Sequence, residues 1–129
     1  MKARLHIAIA AVLAIAVAGA LVGTGAASPL AKSERPVKVK VKDDFFTPTK
    51  VKVKKNGKVT WTWGRNGTFD VHNVTLKRGP HGVKKSKFRS QDSASPGFKF
   101  TKKFKKPGKY NFYCSRHPEV MKMKVVVKR

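Results

Sequence analysis

The chain contains one cysteine and four histidines, and the spacing of three of these residues suggests a shared task. Cys114 and His117 stand three apart in Cys114-Ser115-Arg116-His117-Pro118, a segment that ends one apolar run and precedes another. A turn of that length can aim both side chains at one point. Met121 follows in the next run, with Met123 two residues on, and His72 lies far upstream in Asp70-Val71-His72-Asn73-Val74. Two imidazoles, a thiolate and a thioether are the donors of a type 1 copper centre, with two His and one Cys in a trigonal plane and a distant axial Met. Zinc fits this set poorly, because a thioether is not among its protein ligands. A dinuclear copper centre would need a second cysteine. A Cys/His nucleophile would need an orienting third group and a substrate cleft, and 129 residues leave room for one small domain. The reading is a non-enzyme with a single copper ion.

Taken singly, a buried Cys is usually an inert hydrophobe and an inward His a hydrogen-bonded core residue, so the case rests on the elements that position them. From Val37 onward the apolar period is two. Val37, Val39 and Val41 alternate with Lys38, Lys40 and Lys42, Val51 and Val53 with Lys50, Lys52 and Lys54, and Val59, Trp61 and Trp63 with Thr60 and Thr62. Further runs cover 70–76, 98–104, 110–114 and 121–127, and no helix-period segment of useful length is present. Asn56-Gly57 predicts a tight hairpin between the second and third runs, and Pro107-Gly108 a turn. Residues 77–97 read as a long exposed connection with a short strand near Phe88. Seven to eight short strands in roughly 90 residues argue for an all-β, antiparallel Greek-key β-sandwich. Parity places His72 with Val74 and Leu76, Cys114 with Tyr110 and Phe112, and Met121 and Met123 with Val125 and Val127. Trp61 and Trp63 read as core, with Trp63 reaching partly to the surface. His81, in Gly79-Pro80-His81-Gly82, reads as an exposed turn residue.

The first residues follow another logic. Lys2 and Arg4 precede an apolar run from Leu5 to Val22 and a small-residue stretch ending Gly25-Ala26-Ala27-Ser28. This predicts a signal peptide over 1–27, cut after Ala27 or the neighbouring Ala26. An uncleaved anchor is the alternative, since about 18 apolar residues approach the span of a bilayer. Both readings export the domain to the periplasm, the cell surface or the medium. Residues 28–36 read as a linker, 37–129 as the copper-binding domain, and His6 leaves with the signal.

At the ligand residues the sequence becomes familiar. Phe46-Thr47-Pro48 with Val51, Val53, Gly57 and Val59-Thr60-Trp61, then 70–74, then Tyr113-Cys114-Ser115-Arg116-His117-Pro118-Glu119-Val120-Met121, resembles the plastocyanin-like cupredoxins, which are small exported type 1 copper proteins. The resemblance covers about 37–128. It implies an electron carrier in which His72, Cys114 and His117 are equatorial ligands and Met121 is axial. It also implies that the Asn73 backbone amide tunes the Cys114 sulfur, and that His117 reaches the surface through an apolar patch, here Pro118 and Val120. Three residues separate His117 from Met121, where plastocyanins have four, so Met123 is a rival axial ligand. Arg116 and Lys122 bring positive charge to the loop, which favours Cu(I).

The exported part keeps 28 basic against 6 acidic residues, a formal charge of +22. Outward lysines guard strand edges against aggregation, but that accounts for only some of them. The remaining field would steer the protein to acidic redox-partner proteins, or hold it on anionic cell-surface polymers or lipid head groups. Nucleic acid is the least expected target of an exported protein, and the charge disfavours self-association, so a monomer is expected. Two other readings stay open: an extracytoplasmic polyanion-binding module on the same scaffold, and a copper carrier.

Overall fold

In the computed structural model, which describes residues 34–65 and 69–129, alternating valines and lysines become strands with one buried and one exposed face. The strands are β1 (Val37–Lys42), β2 (Phe45–Thr47), β3 (Lys50–Lys54), β4 (Lys58–Trp63), β5 (Thr75–Arg78), β6 (Lys99–Lys103), β7 (Gly108–Tyr113) and β8 (Lys122–Lys128). They form two four-stranded sheets, in the order β2-β1-β4-β6 and β3-β8-β7-β5. The expected signal peptide (1–27) and the first part of the linker lie outside the described residues.

The all-β sandwich is as expected, but its sheets are mixed rather than purely antiparallel. β1 runs parallel to β4, and β3 parallel to β8. Alternation reports which face of a strand is buried and carries no information on its direction. The Asn56-Gly57 hairpin also needs correction. Asn56 does adopt a positive φ of 70°, and a Cβ on Gly57 would sit 2.9 Å from the Lys54 carbonyl oxygen. Yet β3 and β4, which this turn joins, enter different sheets. Gly57 N–H does close the turn on the Lys54 carbonyl at 2.8 Å, but the rest of its backbone pairs with another segment: Asn56 N–H donates to the Phe104 carbonyl at 2.7 Å, and Phe104 N–H to the Gly57 carbonyl at 2.9 Å. Turn chemistry fixes local dihedrals, while strand partners are chosen by burial across the whole core.

The inner faces meet in one core built around Trp61, Trp63, Phe46, Phe104, Tyr110 and Phe112, all at most 1% exposed. Trp61 is its hub, with ring centroids 5.6 Å from Phe100 and 5.1 Å from Phe112. Fully burying a phenylalanine side chain contributes about 1.5–3 kcal/mol, and the larger tryptophans bury more area still. Trp63, expected to be partly exposed, is fully buried, because Phe98 closes over it edge-on at 4.8 Å.

The connection 77–97 differs most from expectation. Lys85–Phe88 is a 3-10 turn, not a strand, and Phe88 packs on Phe104 and Tyr110. Beyond it the chain folds back on 72–75: Ser90 N–H donates to the Val74 carbonyl, and His72 and Ser93 exchange backbone hydrogen bonds at 3.0 and 2.9 Å. Ser90 and Ser93 are buried. This return, legible only as polar loop in the sequence, supports the segment that carries His72.

Candidate metal centre

His72 precedes the regular part of β5, held by its backbone exchange with Ser93. Cys114 follows the last residue of β7, and Met121 precedes the first of β8. The β7–β8 register pairs Tyr113 with Lys122 and Phe112 with Met123, so Cys114 and Met121 face each other where the two strands part. Cys114 N–H donates to the Met121 carbonyl at 3.1 Å and closes the base of the loop. Inside it, His117 N–H donates to the Cys114 carbonyl at 3.2 Å and Met121 N–H to the His117 carbonyl at 3.0 Å. These bonds turn the chain so that Cys114 and His117 converge as their spacing suggests.

Three donor atoms meet. His72 Nδ1 lies 3.1 Å from His117 Nδ1, and Cys114 Sγ lies 4.0 and 3.9 Å from the two nitrogens. A point about 2.1 Å from all three atoms exists within this triangle, which matches metal–nitrogen and metal–sulfur bonds of about 2.0–2.3 Å. His72 and Cys114 are fully buried, while His117 is partly exposed. Lone pairs gathered this closely out of water need a proton or a cation between them, so the donor set fits a metal ion.

The two methionines separate clearly. Met121 is fully buried beside Cys114. Met123 lies one cross-strand pair further into the core, where its Sδ accepts the Trp61 indole N–H at 3.0 Å. Its sulfur is already engaged in packing.

A hydrogen-bonded network surrounds the donors. Asn73 N–H points at Cys114 Sγ at 3.4 Å. The Asn73 side chain donates to Asp92 Oδ1 and Ser115 Oγ at 2.8 and 2.7 Å, and accepts from Ser115 N–H and Thr75 Oγ at 3.0 Å each. It thereby ties the His72 segment to the Cys114 loop, and a buried amide satisfied on every side rigidifies what it joins. Asp92 also takes both Nε and Nη2 of Arg116, at 3.0 and 2.7 Å. Arg116 and Asn73, in that order, hold the Asp92 carboxyl below its ordinary pKa. Arg116 therefore sits beside the centre as half of an ion pair, and Lys122 approaches Glu119 at 3.5 Å. The local positive field is weaker than the sequence alone suggests.

Asp43 was not among the residues singled out in the sequence. It lies in the β1–β2 turn, and its Oδ1 is 2.7 Å from His72 Nε2. That contact, then the Phe69 amide, lower its pKa. The one hint in the sequence is an acidic pair, Asp43-Asp44, at a turn in a chain with few acids. His81 stays exposed and away from the cluster, contributing its carbonyl to Lys106 Nζ. His117 is partly exposed, and two valines close to the ligand residues in the chain are exposed too, Val120 at 63% and Val71, next to His72, at 44%.

Comparison with known proteins agrees with this geometry. Residues 34–128 match the family model of copper binding proteins of the plastocyanin/azurin family. Amicyanin-alpha of Methylorubrum extorquens is 37% identical over 128 residues, covering 94% of this chain and 97% of its own. The amicyanin of Paracoccus versutus superposes with a TM-score of 0.60 at 27% identity, over 72% of this chain and 81% of that one. A copper-containing nitrite reductase from Thermus scotoductus shares the fold at 23% identity and a TM-score of 0.61, over 74% of this chain, which spans only 23% of the reductase. The chain belongs to the plastocyanin/azurin family of copper-binding proteins.

Proposed function

We propose that this protein is an exported one-electron carrier with a single type 1 copper centre, which His72, Cys114, His117 and Met121 would hold. The observation that carries the reading is the convergence of His72 Nδ1, His117 Nδ1 and Cys114 Sγ at 3.1–4.0 Å on a rigid sandwich. Copper bound there would supply the redox chemistry, taking one electron as Cu(II) and giving it up as Cu(I). The protein's part is to hold the donors still, so that little rearrangement accompanies each electron. The Asn73 amide draws electron density from the sulfur, and buried His72 keeps water from that side. Partly exposed His117, followed in the chain by exposed Pro118 and Val120, is the route for electrons to a partner.

Neither alternative suits the site as well. A polyanion-binding module has no use for three convergent donors, and a carrier that hands over copper needs a more open site than one with two buried ligands. The nitrite reductase shares only the fold, and this chain spans only 23% of it, whereas the amicyanin relative is matched over 97% of its own length, which supports an electron carrier over an enzyme. Export is proposed from the N-terminal sequence, and acidic redox partners from the +22 charge.

The direct test is titration of the purified protein with Cu(II), followed by visible absorption and by copper hyperfine splitting in electron paramagnetic resonance. An intense thiolate-to-copper band with narrow splitting, saturating at one equivalent, is expected. A colourless complex with the fold intact would refute the reading.

The axial assignment has its own test. Met121→Leu should raise the reduction potential and keep the colour, because the thioether stabilises Cu(II) more than an alkyl group does. Met123→Leu should leave the potential near wild type and lower stability by about 1 kcal/mol, since the Trp61 N–H loses its acceptor. The opposite pattern, read by voltammetry and thermal unfolding, would transfer the axial role to Met123.

A further inference from the structure

The carboxylate behind His72 goes unused in the reading above, and its contacts are specific. Asp43 Oδ1 lies 2.7 Å from His72 Nε2. The same carboxylate accepts the backbone N–H of Phe69 on both oxygens at 3.0 Å, and that of Asp70 at 3.1 Å. An ionised carboxylate can only accept hydrogen bonds, so His72 Nε2 must carry the proton. In a neutral imidazole the other nitrogen then presents a lone pair, and Nδ1 is the atom that faces Cys114 and His117. The His72 side chain is fully buried and that of Asp43 27% exposed, so the ring lies between the carboxylate and the cluster.

We propose that Asp43 is a positioning residue for the centre: it selects the His72 tautomer, orients the ring, and places a negative charge one imidazole away from the ion. Carboxylate–histidine pairs of this kind raise the basicity of the ligating nitrogen. The charge favours Cu(II) over Cu(I), against the positive field of the rest of the chain. Asp43 belongs to the β1–β2 turn of one sheet, while the clustered donors lie beside strands of the other. The contact therefore also pins one sheet's loop to the other's ligand.

This inference rests on the copper reading, so its test separates the two. In the apo protein, 15N–1H spectra at fixed pH should show His72 as the Nε2–H tautomer in wild type and in Asp43→Asn, whose amide oxygen still accepts. Asp43→Ala should give a mixture of tautomers. With copper added, Asp43→Asn should keep the colour and narrow splitting while its preference for Cu(II) over Cu(I) falls about tenfold, read as a raised potential. Asp43→Ala should also lose Cu(II) affinity by about 10–100-fold. A wild-type potential in Asp43→Asn would overturn the electrostatic role, and an unchanged apo tautomer in Asp43→Ala the orienting role. Should the Ala variant fail to fold, the potential of the Asn variant still decides. Absence of colour in the wild type would instead count against the copper reading and leave the apo tautomer result standing.

Discussion

Cys114→Ser is expected to abolish the intense visible absorption of the copper-loaded protein while leaving the β-sandwich folded. The colour of a type 1 centre arises from charge transfer between thiolate sulfur and copper, and a serine hydroxyl stays protonated at neutral pH, with no comparable transition. Serine is close to cysteine in size, and the Asn73 N–H that points at the sulfur at 3.4 Å can donate to a hydroxyl instead. The substitution still places a hydroxyl in a fully buried position. The cost is about 1–3 kcal/mol, within the margin of an ordinary domain. Absorption, circular dichroism and thermal unfolding on the same sample separate loss of colour from loss of fold. A variant that stays blue would remove Cys114 from the centre and with it the electron-transfer mechanism.

The second large effect is expected in the salt dependence of partner encounter. Lysines occupy the exposed faces of both sheets, among them Lys38 and Lys40 on β1, Lys50, Lys52 and Lys54 on β3, and Lys122 and Lys124 on β8. The six acids offset this little, and Asp43, Asp92 and Glu119 are already engaged around the metal centre. At 0.01 M salt the screening length is about 30 Å, longer than the radius of such a domain, and at 0.15 M about 8 Å. Electrostatic steering raises association rates by about 10–10³-fold and is lost on that scale. Stopped-flow electron transfer from the reduced protein to an acidic acceptor should therefore slow at least about tenfold between these two conditions. A basic acceptor should show the reverse trend. Equal rates at both salt concentrations would mean that the lysines serve strand edges and solubility and do not guide partners.

The acids engaged at the centre also bear on how its potential is set. Arg116 and Lys122, taken as neighbours in the chain, suggest a strongly positive ligand loop. In the fold, Arg116 is bound by Asp92 and His72 by Asp43. Both of these carboxylates come from other parts of the chain, so the field at the metal is decided by long-range contacts.

That His72, Cys114 and His117 come together was legible in the sequence. Period-two alternation marks strands because successive side chains on extended backbone point to opposite faces, and one chain of reasoning from parity to faces put His72, Cys114 and Met121 inside. The three-residue step from Cys114 to His117 is a local distance, so its consequence could be read from spacing. The positive φ at Asn56 was legible for the same reason. What required the tertiary structure were matters settled between residues far apart in the chain. The Asn56-Gly57 turn does not close a hairpin, because its backbone finds partners around Phe104. That two strand pairs run parallel was not legible, because direction leaves no trace in alternation. Met121 and Met123 share a face and a chemistry, and what distinguishes their sulfurs includes a contact from far away: Trp61, 62 residues upstream of Met123, engages the sulfur of Met123. Asp43 resembles any turn aspartate until the β1–β2 turn of one sheet is set against the histidine beside the other.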